Sequence, residues 1–219
     1  ENSDLKSNEL QSDNSLPGAD GIAFIIAGLI PNNEGESGGG IGYGGILNAI
    51  AIELDLYKND ENNDPNGNHI AIQVPNNFKL SPVHNKQNTV LLNQNILEIV
   101  PDSSHTYYGR VEYINKTLKV YLDTTENYEK PVAELDNLVI SDYILMDSNR
   151  VGYLGLTSST GKSVEVHKLT HWDICSYNNS SVFSGIEEAQ PNHSLLVYPN
   201  PTDDLLNIAL PDGKLYKSL

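Results

Sequence analysis

The sequence has 219 residues, a single cysteine and a formal net charge of -16, because 29 Asp and Glu outnumber 13 Lys and Arg. Such an acidic chain is repelled by nucleic acid and by anionic membranes, which argues against both as partners. Cys175 has no second cysteine to pair with, so we expect a free thiol and a fold that depends on its core and any bound metals. No apolar run approaches the about 20 residues of a transmembrane helix, so no transmembrane segment is expected.

Residues 1–17 are polar and without periodicity, which predicts a loop and no signal-peptide core. Beyond them, short segments with β-strand composition recur at the spacing of an all-β sandwich, and no segment has the pattern of an amphipathic helix. Asn115 and Lys116 stand between two alternating segments and predict a tight hairpin turn. Nine strands are predicted, at residues 21–28, 46–57, 69–74, 90–99, 106–114, 117–123, 132–139, 151–158 and 164–174.

The segment AIAIELDLY at residues 49–57 alternates between apolar and other side chains. Glu53, Asp55 and Tyr57 are therefore expected on one face of a strand. Two carboxylates about 7 Å apart on one strand repel each other. They must be either solvated or neutralised by a cation.

The loop KNDENNDPNGN at residues 58–68 is rich in residues that form turns. We expect it to fold back and to bring Asn59, Asp64 and His69 toward the end of the strand. Oxygen ligands alone suit calcium, whereas carboxylates with one imidazole suit a transition-metal ion such as manganese. A solvated acidic turn is the alternative at this stage. An EF-hand loop is excluded, because Pro65 would replace its turn glycine.

The sequence predicts structural positions, not ligand roles, for two other histidines and two aromatic residues. His84 and His105 lie in or beside loops without a carboxylate at ligand spacing, so both are predicted to be surface residues. Tyr153 and Trp172 are predicted to be core aromatics.

Four segments, in order along the chain, resemble the L-type lectins, the legume-lectin and concanavalin group. They are GADGIAF at residues 18–24, GGGIG at 38–42, ELDLYKN at 53–59 with Asp64-Pro65 and His69, and a closing region. The closing region contains VGY at 151–153, STG at 159–161, Glu165, His167 and Trp172. The resemblance covers residues 17–174.

The resemblance implies an all-β, concanavalin-like jelly-roll β-sandwich. Members of this family have several strands before the segment at 18–24, so we expect the chain to be an N-terminally truncated piece of a longer protein. The expected organisation is a loop at 1–17, a lectin-like sandwich at 18–175, a linker at 176–194 and a further partial domain at 195–219.

The resemblance also implies two adjacent metal ions. The implied ligands of a transition-metal ion such as Mn²⁺ are Glu53, Asp55, Asp64 and His69. The implied ligands of Ca²⁺ are Asp55, the Tyr57 carbonyl, Asn59 and Asp64.

The carbohydrate-binding residues follow from the same resemblance. Asp20, a Gly39 N–H and the Asn59 amide would bind sugar hydroxyls, and the Tyr57 ring would stack on a pyranose. The last loop would contribute Gly161 and Lys162. Because the loop at 160–164 is short, we expect an open pocket and weak binding of monosaccharides. The sequence specifies neither the sugar nor the oligomeric state.

Composition changes after Cys175, where a polar segment at 176–194 is typical of a linker. The following LLVYPNPTDDLLNI at 195–208 resembles the start of the C-terminal sorting domain used by type IX secretion in Bacteroidetes. That resemblance implies a bacterial protein exported across the outer membrane and then released or anchored at the cell surface. A Pro-rich tail with one isolated strand is the alternative.

The resemblance implies non-covalent glycan binding and no enzymatic reaction. The same jelly roll carries retaining glucanases with ExDxE or ExDxxE strands, but Tyr57 and Lys58 stand here where the second acid is needed. The pair of carboxyl groups about 5 Å apart is therefore missing. Two alternatives stay open: a carbohydrate-binding module of a larger glycoside hydrolase or adhesin, and a protein–protein adhesion sandwich that has lost sugar binding.

Overall fold

A computed structural model describes residues 18–29, 31, 34–100, 105–146, 152–161, 163, 165–174, 196–198 and 207–209. It divides into two compact units, with the boundary between His167 and Lys168. The predicted loop at 1–17, the Cys175 thiol and the linker at 176–194 lie outside the described residues. No helix in the described ranges is long and apolar enough to cross a membrane.

The first unit is built from antiparallel strands, as the alternating segments predict. Its strands are β1 (Gly21–Ala27), β2 (Ala49–Asp55), β3 (His69–Gln73), β4 (Thr89–Asn93), β5 (Tyr108–Ile114), β6 (Thr117–Asp123), β7 (Ala133–Leu135) and β8 (Tyr153–Ser159). Five of them form one sheet in the order β4-β3-β2-β1-β8, and the other three form a second sheet in the order β5-β6-β7. The prediction of an all-β fold with two sheets is confirmed.

Strand β2 lies at the centre of the five-stranded sheet, and its alternation separates two environments. Ile50 and Ile52 join a core with Leu118 and Val120 of the other sheet, so this face lies inside the sandwich. The opposite face of β2 carries Ala49 and Ala51. Residues of the loop between β1 and β2 cover that face, among them Ile41, Tyr43 and Ile46.

The register of the sheet explains how a large carboxylate fits on the covered face. Glu53 is paired with Ala23 on β1 and with Ala71 on β3, and side chains directly opposite each other point the same way. The two small neighbours leave room for Glu53, while the next pair places Asp55 beside His69.

The hairpin between β5 and β6 is confirmed. Asn115 and Lys116 have φ angles of 51° and 67°, as both central residues of a type I′ turn require.

The strand predicted at 164–174 is wrong, because the described residues 165–174 pair with no described strand, and Val166 is 85% exposed. Tyr153 is 37% exposed and not a core residue, since it begins the edge strand β8.

In the second unit, β9 (Leu196–Tyr198) and β10 (Asn207–Ala209) pair in antiparallel register. The domain boundaries proposed from sequence stay predictions.

Candidate metal and ligand site

Three carboxylates and one histidine meet at the end of β2, as the sequence predicts. Glu53 and Asp55 extend from the strand, Asp64 comes from the following loop, and His69 begins β3; none is more than 6% exposed. Burial raises the pKa of Asp55 well above its ordinary value, and the charges of Asp64 and Glu53 raise it further. A cation would offset this repulsion.

Backbone groups hold the carboxylates in place. The Tyr57 N–H donates to Asp55 Oδ1 at 2.8 Å, and the Asn59 N–H donates to Asp64 Oδ2 at 2.6 Å. Each bond uses one oxygen of its carboxylate. The second oxygen of Asp64, Oδ1, lies 3.3 Å from His84 Nε2, and both carboxylates keep lone pairs that a cation could use.

The grouping of donor atoms supports two overlapping metal sets. Asp55, Asp64 and His69 offer ligand atoms within 4.8 Å of one another, and so do Glu53, His69 and His84. Asn59 Oδ1 is buried and has no hydrogen-bond partner, as an oxygen awaiting a cation or a ligand would be. The residues therefore fit a transition-metal ion beside calcium.

The prediction that His84 is a surface residue is wrong, whereas His105 is exposed as predicted. His84 is only 8% exposed. Its backbone N–H donates to the Asn62 carbonyl at 2.8 Å, which holds this loop against the loop that follows β2. Burial alone would lower the pKa of His84. Hydrogen bonds to Asp64 and Glu53 outweigh it and raise the pKa to about 9.

Two further side chains support Glu53 and were not predicted. The Tyr43 hydroxyl donates to Glu53 Oε2, and the Gln73 amide donates to Glu53 Oε1 at 3.2 Å. Thr89 in turn donates to Gln73 Oε1 at 2.9 Å. Each is an ordinary core or strand residue by sequence, so only the fold reveals its role. The apolar loop around Tyr43 is the one signal that a covering segment exists.

Four of the predicted carbohydrate-binding residues, Asp20, Gly39, Asn59 and Gly161, come together beside the carboxylates, and we refer to these four as the recess. A Cβ atom on residue 39 would stand 2.6 Å from Asn59 Oδ1, and one on residue 161 would stand 3.0 Å from Asp20 Oδ2. A side chain at position 39 would displace the Asn59 amide, and one at position 161 would require the Asp20 carboxylate to move by a few tenths of an ångström. Tyr57 lies half-buried next to Leu56, whose N–H donates to the Asp20 carbonyl at 2.8 Å. The sixth predicted residue, Lys162, lies outside the described residues.

Asp20 follows a cis peptide bond to Ala19, and its own N–H donates to the Ser159 carbonyl at 2.9 Å. Its side chain is buried, yet Oδ2 has no hydrogen-bond partner. An unpaired buried acceptor costs about 1–3 kcal/mol. Burial, with a smaller contribution from the charge of Asp64, raises the Asp20 pKa to about 6. Asp20 therefore offers a preformed acceptor for hydroxyl donors.

The sequence is also similar to that of a known protein family. A sequence profile described as the legume lectin domain matches residues 7–188. The lectin-like protein At1g53060 of Arabidopsis thaliana is 30% identical over 178 residues, which are 74% of this chain and 68% of that protein. The probable L-type lectin-domain containing receptor kinase S.7 of the same plant is 29% identical, over 70% of this chain and 22% of the kinase.

Among solved structures, the basic winged bean lectin crystallised with Tn-antigen superimposes with a TM-score of 0.45. It is 21% identical and covers 69% of this chain and 57% of its own. The family profile spans most of the present sequence, including every segment that forms the carboxylate cluster and the recess. The chain belongs to the legume lectin domain family.

Proposed function

We propose that the chain binds glycans without reacting with them, and that binding depends on calcium and a transition-metal ion such as manganese. The observation that carries the proposal is the recess of Asp20, Gly39, Asn59 and Gly161 beside the buried carboxylates. Two buried oxygens in it, Asp20 Oδ2 and Asn59 Oδ1, lack hydrogen-bond partners. Sugar hydroxyls donate to such acceptors, and a cation binds to them.

When bound, the two cations would neutralise the clustered carboxylates and hold the loop after β2 in one conformation. Asp55 and Asp64 would bridge the two ions. The proposed ligands of the transition-metal ion are Glu53, Asp55, Asp64 and His69. The proposed ligands of calcium are Asp55, the Tyr57 carbonyl, Asn59 and Asp64.

The sugar contacts follow from the chemistry of each group. Asp20 accepts hydrogen bonds from two sugar hydroxyls, while the Gly39 N–H and the Asn59 Nδ2 donate to others. The half-buried Tyr57 ring stacks on the apolar face of a pyranose. Gly161 and Lys162 of the last loop complete the set. Since the groups are held before the ligand arrives, less ordering entropy opposes binding.

We expect weak monosaccharide binding, with Kd values of about 0.1 to 1 mM, since the last loop at 160–164 is short and a single sugar makes few contacts. Several copies on one surface would supply avidity. No covalent step is proposed, because the strand that holds Glu53 and Asp55 has Tyr57 and Lys58 in place of a further acid.

We also propose that the chain comes from a bacterium of the Bacteroidetes type and is secreted or displayed at the cell surface by type IX secretion. The motif at 195–208 supports this, as does the pairing of β9 with β10, which lie near its two ends.

A second candidate is a binding module within a larger protein, such as a glycoside hydrolase or an adhesin. The observation that favours it is the 22% share of the receptor kinase that the match covers, since that relative carries much sequence besides its lectin domain. The module would use the same recess.

A glycan-array screen tests the proposal. The chain is applied in calcium with manganese and again after chelation, alongside Asp20→Ala and an exposed control, Asp142→Ala. We expect binding that chelation and Asp20→Ala each abolish and that Asp142→Ala preserves. A folded chain that binds no glycan in either condition would move the assignment to a protein-adhesion sandwich.

A further inference from the structure

We propose that His84 is a second imidazole ligand of the transition-metal ion, which enlarges the preference of the site for zinc, cobalt or nickel over manganese. The inference rests on the metal dependence proposed above and deepens it. The ligand set derived from the family resemblance contains one histidine, and nothing in the sequence pointed to His84.

Three distances place the His84 Nε2 atom among the metal donors. It lies 3.0 Å from His69 Nε2, 3.1 Å from Glu53 Oε1 and 3.3 Å from Asp64 Oδ1. Ligand atoms about 2.1 Å from one ion, at bond angles of 90–110°, stand about 3.0 to 3.4 Å apart. All three distances fall in that range. His69 Nε2 and Glu53 Oε1 are 3.8 Å apart, which corresponds to a wider angle at the same ion.

The protonation of His69 follows from its other nitrogen. His69 Nδ1 lies 3.0 Å from the Asn66 carbonyl, which can only accept, so Nδ1 carries the proton. In the neutral ring, the lone pair is then on Nε2, which is the atom next to His84. Two imidazole nitrogens approach to 3.0 Å when they share a proton or when both lone pairs are directed at one cation.

The far side of the His84 ring has what a metal-bound imidazole needs. Coordination through Nε2 leaves a proton on Nδ1, which requires an acceptor. His84 Nδ1 lies 3.1 Å from the Gln73 amide and 3.5 Å from Thr89 Oγ1. A flip of the Gln73 amide presents its oxygen to that proton and replaces the amide's bond to Glu53 Oε1 with one to Thr89 Oγ1, which leaves Glu53 Oε1 to the metal.

The consequence is a change in metal preference. With His84, the protein offers five ligands, three carboxylates and two imidazoles: Glu53, Asp55, Asp64, His69 and His84. Imidazole favours zinc, cobalt and nickel, whereas oxygen ligands suit manganese. We therefore expect zinc to bind more tightly than manganese, by a margin that depends on His84.

Proton NMR of the full chain loaded with calcium and Co²⁺ counts the ligands directly. A cobalt-bound imidazole that keeps its Nδ1 proton gives one strongly shifted, exchangeable N–H signal. We expect two such signals in the wild-type chain and one in His84→Gln. His105→Gln, which changes an exposed loop histidine, should still give two. In competition titrations, His84→Gln should raise the Kd for Zn²⁺ by about 100-fold and that for Mn²⁺ by less than about 10-fold.

The number of shifted N–H signals is measured on the wild-type chain, so this part of the test does not depend on whether a variant folds. One shifted signal in the wild-type chain, or unchanged metal affinities in His84→Gln, would show that His84 only hydrogen-bonds to the carboxylates and would overturn the proposal. A chain that binds no cobalt overturns it together with the metal dependence. Two signals in a chain that binds no glycan would support His84 as a ligand and reject the proposed lectin function, so the two failures are distinguishable.

Discussion

Asn59 lies so close to Gly39 that any side chain on residue 39 would displace its amide: a Cβ atom there would be 2.6 Å from Asn59 Oδ1. Gly39 is not among the glycines with a positive φ, so alanine is compatible with its backbone. The requirement for glycine at position 39 therefore comes from the position of Asn59 and not from the turn itself.

Gly39→Ala should displace the Asn59 side chain and reduce glycan affinity by at least about 10-fold, because a clash under 3.0 Å forces a shift of the amide. Stability should change by less than about 1 kcal/mol, since Gly39 is half-buried and the Asn59 side chain can move aside. Isothermal titration calorimetry measures the affinity. Gly109→Ala is the matched control, since a Cβ there meets nothing within 4 Å. Equal affinities for the two variants would contradict the assigned role of Asn59.

Metal removal should destabilise the domain, because Glu53, Asp55 and Asp64 would remain buried with only the His84 imidazolium, among the described residues, to offset their charge. An ion present at about 100 times its Kd adds about 2.7 kcal/mol to the free energy of unfolding. Two ions should raise Tm by about 10 to 20 °C for a domain of this size. Scanning calorimetry with and without chelator measures the shift.

The variant Asp55→Asn tests the proposed bridging ligand. Most of the metal-dependent increase in Tm should be lost in this variant, and a full increase would argue against bridging.

The Asp20 pKa predicts a pH dependence of the metal-free chain. Its folded value is raised to about 6 from 3.8, so the folded state favours the protonated acid. The stabilisation is complete below pH 3.8 and is lost as pH rises through 6. The free energy of unfolding of wild type minus that of Asp20→Asn should therefore fall between pH 4 and pH 7. Urea unfolding at both values measures it, with the exposed Asp60→Asn as control. A difference independent of pH would be inconsistent with a buried, unpaired Asp20.

The hairpin turn provides a prediction away from the site. Lys116 has a φ of 67°, a conformation that glycine adopts without strain. Lys116→Gly should raise the free energy of unfolding by about 1 kcal/mol. Lys130→Gly, at an exposed bend without a positive φ, should lower it. Chemical denaturation of both variants distinguishes the cases, and a loss of stability in both would rule out relief of strain at Lys116.

Much of the fold was predictable because alternation determines which residues form strands. The segment at 117–123 was predicted to the residue, and Glu53 and Asp55 were placed on one strand face because the period is two. The predicted strand at 90–99 ends at Asn93, since composition does not show where a partner strand ends. The segment at 164–174 failed for the same reason, because it alternates like a strand but pairs with no described one.

The site was only partly predictable. Spacing along the chain located Asp64 and His69, which follow Glu53 closely. His84 and Gln73 were missed because their contacts join separate loops and strands, and each residue type is ordinary at its position. Tyr43 belongs to a loop whose burial over β2 depends on the folded sheet. Long-range packing determines these contacts, and no local pattern reports them.

The proposed function gives Asn59 two roles: its side-chain oxygen would bind calcium and its side-chain amide N–H would bind the sugar. Asn59→Asp keeps an oxygen at the metal and removes the N–H donor. Calorimetric titration of this variant with calcium, and then with a glycan that binds the wild type, tests the claim most directly. We predict a calcium Kd within about 10-fold of the wild-type value and no measurable glycan binding. Glycan affinity equal to that of the wild type, with calcium bound, would contradict the account.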